Sequence, residues 1–161
     1  MALTELSRRD VSRGAMLNRE IKLVTDIEEL SGTDYFEFLP REYSGVCWNP
    51  DSVFLDEEVF TLIEPIFEKN VPSFDHYAFQ LIEAQAIEGI IQDLRTLLTS
   101  LPALTPDTVE EVLSMMFVNS AENFRSDFEI NKIRTIKMIE SLVDWLQKVA
   151  KDTDRVTILG M

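Results

Sequence analysis

Residues 76–100, HYAFQLIEAQAIEGIIQDLRTLLTS, form the longest regular stretch of the chain, and the fold turns on how they are read. Phe79, Ile82, Ala86, Ile90, Leu94 and Leu97 recur at steps of three and four, the spacing of one face of an α-helix, while Glu83, Glu88 and Asp93 fall on the opposite face. The spacing predicts a helix over 76–100, stopped by Leu101-Pro102. Gly89 lies inside it, where glycine weakens a helix relative to alanine, so a close helix crossing at that point is the economical explanation.

The same reading extends outward in both directions. Thr105-Pro106 pairs a capping threonine with proline at the first helical position and predicts a helix to about Val118. From Ser120 to Lys151, one stripe (Phe124, Phe128, Ile133, Ile136, Ile139, Val143, Leu146, Ala150) is joined by a second (Met138, Leu142, Trp145, Val149), which predicts a helix buried on a broad face. Asp56–Lys69 reads as a helix capped by Asp56 and kinked or split by Pro65 near Glu64. Leu17, Ile21, Val24, Ile27 and Leu30 predict a helix over about 16–30, ended by Ser31-Gly32. Between these lies 33–55, TDYFEFLPREYSGVCWNPDSVFL, with Pro40, Gly45, Pro50 and six aromatic residues, which reads as loop or short irregular helix. Val156-Thr157-Ile158 reads as an extended strand or a packed end. The expected fold is an all-α, single-domain helical bundle over 1–161 with an irregular aromatic-rich segment at about 33–55.

Charge is distributed far less evenly than hydrophobicity. The net charge of −14 is carried entirely by residues 26–93, which hold sixteen acids and two bases, while the flanks come to +2 and −2. At 161 residues and 45% hydrophobic, the chain can bury a core, so this acidity is expected on a folded surface and not on a disordered one. A field of that sign repels phosphate backbones and anionic membranes, which disfavours direct nucleic-acid or membrane binding and points to a basic partner. Residues 1–25 contain Arg8, Arg9, Arg13 and Arg19 but no apolar run of the length a secretory signal needs, and no run reaches eighteen apolar residues. Cys47 is the single cysteine, so no internal disulfide forms, and a reducing compartment, the cytoplasm, is expected.

The residues that carry catalysis elsewhere lack their usual company. His76 stands beside Asp75 and Tyr77 at the start of the long stretch, where a carboxylate-oriented base is conceivable, but no nucleophile lies at a recognisable spacing. A structural or first-turn role is expected of it. Cys47 has acidic and aromatic neighbours that do not favour a thiolate, so it reads as a small buried hydrophobe. Asp51-Ser52-Val53-Phe54-Leu55-Asp56 places apolar residues where a calcium loop needs oxygen ligands, and one histidine with one cysteine makes no zinc cluster. No glycine-rich phosphate loop is present. Neither a catalytic site nor a metal or other cofactor is expected.

The segment 34–64 combines acids with aromatics around one cation, Arg41. Aromatic anchors ringed by charge are the usual make-up of a protein interface, so the candidate partner-binding residues are Asp34, Tyr35, Glu37, Glu42, Tyr43, Trp48, Asp51, Asp56, Glu57, Glu58 and Glu64, extended by Glu68, Glu83 and Glu88. The opposing reading is that the aromatics form a satellite core and the acids merely face solvent.

A small, acidic, mostly helical chain carrying DYFEFLPREYSGVCWNPDSVFLDEEVF, residues 34–60, resembles the immunity proteins of bacterial contact-dependent growth inhibition and related polymorphic toxin systems. That resemblance implies a toxin domain as partner, frequently a basic nuclease, neutralised by occlusion of its active site or nucleic-acid-binding face; it assigns no residue by position. Two other readings stay open: a helical adaptor or regulatory subunit for another basic protein, and an enzyme using His76 with nearby carboxylates. The oligomeric state is left open.

Overall fold

The computed structural model describes residues 21–160, and within them four strands and six α-helices make a mixed fold in place of the expected all-α bundle. Strands β1 (Tyr35–Leu39) and β2 (Val53–Asp56) arise in the segment read as irregular. Helix α1 (Glu57–Thr61) follows at once, and its N-cap is Asp56, whose carboxylate accepts the Glu58 N–H at 2.9 Å. Helix α2 (Glu64–Asn70) is parted from α1 at Leu62-Ile63, with Pro65 in its first turn, where a missing N–H breaks no helical bond. The expected cap and split at these positions are both present.

The decisive stretch divides in two. Phe79–Glu83 is strand β3, and only Ala84–Ser100 is helix α3. In the strand, Ile82 is 2% exposed and Phe79 is 44% exposed, so two residues assigned to one helical stripe point to different environments. A short 3-10 turn, Leu101–Ala103, ends α3. The helix expected from Thr105 shrinks to α4 (Val109–Val112), because Thr108 Oγ1 bonds back to the Thr105 carbonyl and contacts the Thr105 hydroxyl, local bonds that compete with helical ones. Instead of one helix over 120–151 there are α5 (Ser120–Ser126) and α6 (Phe128–Asp152), separated at Asp127, whose backbone is not helical. Val156–Ile158 lie in strand β4 (Arg155–Leu159). Of the helix expected over 16–30, residues 16–20 lie outside the described residues; the remainder holds only a 3-10 turn, Ile27–Glu29, capped by Asp26.

The sheet is antiparallel throughout, in the order β2-β1-β4-β3. Register places Phe54, Glu37, Leu159 and Phe79 in one row on one face, and Val53, Phe38, Ile158 and Gln80 in the next row on the other. The second face is the inner one: Phe36, Phe38, Val156, Ile158 and Ile82 share a core with Ile87, Ile90 and Leu94 of α3 and Met138, Leu142 and Leu146 of α6. The close approach at Gly89 is made by Asn70 of α2, whose side-chain oxygen would overlap an added Cβ; its amide nitrogen is held by the Ile66 carbonyl and Asp93, both at 2.8 Å.

Gly160 ends β4 against the 76–78 turn: an added Cβ would overlap the His76 carbonyl oxygen and come within 3.1 Å of Phe36 Cε1. Backbone cannot step aside as a side-chain tip can. Gly160→Ala should therefore lower unfolding stability by about 1–3 kcal/mol in urea titration.

Candidate partner-binding surface

The outer face of the sheet is apolar at its centre and needs a cover. Loop 40–52 supplies it, anchored by Glu37, which projects from the middle of β1 and is fully buried. Its carboxylate accepts the N–H of Trp48 at 2.6 Å and of Asn49 at 3.1 Å, the Asn49 side-chain amide at 2.8 Å and the Ser52 hydroxyl at 2.6 Å. Four donors converging on one carboxylate satisfy a group that would otherwise be costly to bury. To reach it the loop passes through left-handed backbone at Gly45 (φ 99°) and Trp48 (φ 63°). The Trp48 ring then stacks on Phe54 at 5.6 Å and meets Tyr35 edge-on at 6.1 Å. Three of the segment's six aromatics, Tyr35, Trp48 and Phe54, thus belong to a second, smaller core, while Phe36 and Phe38 belong to the main one and Tyr43 is exposed.

The acids divide between inside and outside. Tyr35, Glu37, Glu58 and Glu64 are buried, so they do not present a surface to a partner. Tyr35 exchanges hydrogen bonds with the backbone of Ser31, donating to its carbonyl and accepting from its N–H. Glu58 accepts from the hydroxyl of Ser120, 62 residues away in the chain; burial pushes the Glu58 carboxyl up, against the lowering effect of that bond. Trp48, Asp56 and Glu57 are half-buried, Asp56 as the α1 cap. Asp34, Glu42, Tyr43 and Asp51 are exposed, as are Glu68, Glu83 and Glu88. Two of these are already engaged: Asp51 pairs with Arg41, whose guanidinium holds its carboxyl below the usual range, and Glu42 pairs with Arg155. Cys47 is half-buried, with its sulfur 4.0 Å from the Tyr43 hydroxyl.

His76 lies outside α3, in the turn before β3, and is clasped by two carboxylates. Its Nδ1 is 2.6 Å from Glu64 and its Nε2 is 2.9 Å from Glu57, with Phe36 edge-on at 4.9 Å. A neutral imidazole has one N–H, so only the protonated ring donates to both. Burial works against that charge, but the hydrogen bonds and charges of Glu57 and Glu64 outweigh it and hold the His76 pKa above its ordinary value. The second Glu64 oxygen is buried without a hydrogen-bond partner. With both ring nitrogens engaged, His76 in this arrangement ties α1 and α2 to the turn before β3; abstracting a substrate proton requires it to release a glutamate first.

What the loop leaves uncovered is the β3 margin of the outer face. Tyr77 is 76% exposed, Leu81 41% and Tyr43 39%, and Tyr43 meets Phe79 edge-on at 5.0 Å. Tyr77, Phe79 and Leu81 were absent from the sequence-derived set, although their alternate spacing, followed by Glu83, is a strand signal. Among the described residues no group of three or more His, Cys, Asp or Glu side chains is disposed to hold a metal ion, and no helix is long and apolar enough to cross a membrane. Comparison of the chain with protein-family models, curated proteins and solved structures finds no match.

Replacing Glu37 by glutamine turns one acceptor into a donor facing donors. Glu37→Gln should cost about 2–3 kcal/mol in urea unfolding and release Trp48 from Phe54, read as a change in tryptophan fluorescence. The clasp predicts a pH dependence of definite sign. Because the folded His76 pKa is raised, its stabilisation is complete below the unfolded value of about 6.5 and is lost as pH climbs through the higher folded value. The thermal midpoint should fall between about pH 6 and about pH 9 more steeply in the wild type than in His76→Gln, and equal slopes would show that the clasp contributes nothing.

Proposed function

We propose that this chain is an acidic binding protein that neutralises a basic partner, as an immunity protein does when it occludes the active site or nucleic-acid-binding surface of a toxin nuclease. The observation that carries this reading is the exposed cluster of Tyr43, Tyr77, Phe79 and Leu81, of which the last three lie in residues 70–94, a stretch that contains four acids and neither lysine nor arginine. Exposed aromatics supply anchors, and a net negative charge around them, in which Arg155 opposite Glu83 is paired with Glu42, selects and steers a partner of opposite sign. Carboxylates on this surface compete with phosphates for the lysines and arginines with which a nuclease holds its substrate. In this reading the chain is not itself an enzyme and works in the cytoplasm. The contact residues are Glu42, Tyr43, Tyr77, Phe79 and Leu81, with Glu83 and Glu88 at the rim.

The test begins with retention of partners on the immobilised full chain at low salt, identified by mass spectrometry and then purified. A basic protein whose nuclease activity is abolished by one equivalent of the chain is the expected result. Its association rate should fall about tenfold or more as salt rises from about 20 mM to about 150 mM. A captured nuclease that stays active, or an association rate indifferent to salt, would overturn the reading.

A further inference from the structure

We infer that the free edge of β3 receives an extended segment of the partner, alternating apolar and basic residues, which joins the sheet as a fifth strand; the basic character of that segment rests on the function proposed above. The two margins of the sheet differ in how they end. At β2 the margin is occupied, since the Val24 N–H donates to the Phe54 carbonyl at 2.9 Å and the Phe54 N–H to that of Val24 at 2.8 Å. At β3, no strand among the described residues pairs with the outer side.

Register identifies which backbone groups are left there. Phe79 stands opposite Leu159, and one step on, the Gly160 N–H donates to the Ala78 carbonyl at 3.4 Å. In an antiparallel ladder bonded and non-bonded pairs alternate, so Gln80 and Ile82 turn their N–H and C=O toward β4, as Ala78 does its C=O; the Ala78 N–H donates to the Asp75 carbonyl at 3.2 Å. Phe79 and Leu81 therefore turn theirs outward, each offering a donor and an acceptor to an incoming strand, and Glu83 offers its N–H alone, its carbonyl being the N-cap carbonyl that accepts the first hydrogen bond of α3.

Phe79–Glu83 contains neither proline nor lysine, and its backbone pairs with β4 in continuous register without a bulge. A groove of about 630 Å³ adjoins it, lined by Leu81 and Glu83 of the strand, Val71 and Pro72 after α2, and Ala86 and Gly89 of α3. Apolar side chains of an added strand would meet Phe79, Leu81 and Tyr43 on the outer face. Asp75, Glu83 and Glu88 supply negative charge nearby, and the cations beside the edge are paired, Lys69 with Asp93 at 3.1 Å and Arg155, opposite Glu83 on β4, with Glu42. A second copy of the chain presents the same acids and a net charge of −14, so the charge favours a basic segment over self-pairing.

The probe is a capped octapeptide alternating lysine and valine, added to the full chain and read by amide hydrogen exchange. The expected result is exchange slowed about tenfold or more at Phe79, Leu81 and Glu83 and not at β2. A glutamate-valine octapeptide, and a lysine-valine peptide N-methylated at alternate residues, should give no protection. Leu81→Pro removes only an outward N–H and should abolish the effect; Leu81→Lys, which leaves the backbone intact, should weaken it through charge. Protection by the N-methylated peptide, protection confined to other residues, or concentration-dependent protection without peptide, which signals self-pairing, would each overturn the inference. If the chain neutralises its nuclease while these amides stay unprotected in the complex, the edge proposal fails and the function stands. If the peptide protects them and no basic partner is inhibited, the function fails and strand addition at the edge stands.

Discussion

Strand β4 bonds to β1 on one side and to β3 on the other, and the four-stranded sheet exists only through it. Once β1 is held there, Phe36 and Phe38 are fixed on the inner face. Phe36 stacks on Phe60 of α1 at 4.0 Å, and Phe38 packs against Phe67 of α2 at 5.9 Å, so both short helices take their positions from that strand. The His76 clasp depends on the same pairing. Its two glutamates come from α1 and α2, and its own backbone lies against Gly160 at the end of β4.

The concentration of charge in residues 26–93 resolves into two populations with different physics. Glu37, Glu58 and Glu64 are buried and act through hydrogen bonds, holding a loop, a helix start and a turn in place. Their removal from water is offset by donors brought from elsewhere in the chain, and burial keeps them from direct contact with a cation outside. The exposed acids have the reverse character. Glu68, Glu83 and Glu88 make no ion pair with the described residues, so they add to the field without adding to the fold. Sequence counting treats both populations alike, because it sees charge and not burial.

Much of the helical part of this fold was legible. The repeat of Ala86, Ile90, Leu94 and Leu97 is local, as are the Asp56 cap and the break near Pro65, and the structure holds all of them. The strands were not legible for reasons specific to each. In Tyr35–Leu39 all five positions are buried, because helices cover one face and loop 40–52 the other, so no alternation was available to read. In Phe79–Glu83 the five residues fit the first turn of a helical stripe as well as a strand; the arbiter is a partner at 155–159, which no local window contains. The candidate surface was found as a region but not as a face. Whether Glu37 or Glu42 points outward depends on register with β4 and on donors at 48–52, and the helical reading of 76–100 placed Phe79 in a core stripe and gave Tyr77 and Leu81 no surface role.

The inward anchoring of loop 40–52 separates two properties that are usually entangled. Its hold on the sheet comes from Glu37, Asn49, Ser52 and the stacked Trp48, all facing in, whereas Tyr43, Ser44 and Val46 are exposed, and of these Val46 joins that network only through its carbonyl, which accepts the Asn49 side-chain amide. Exposed positions of this kind tolerate exchange within a few tenths of a kcal/mol. A lineage can therefore rewrite the outward residues while inheriting the scaffold unchanged. Change of surface and preservation of architecture draw on different side chains in the same thirteen-residue loop.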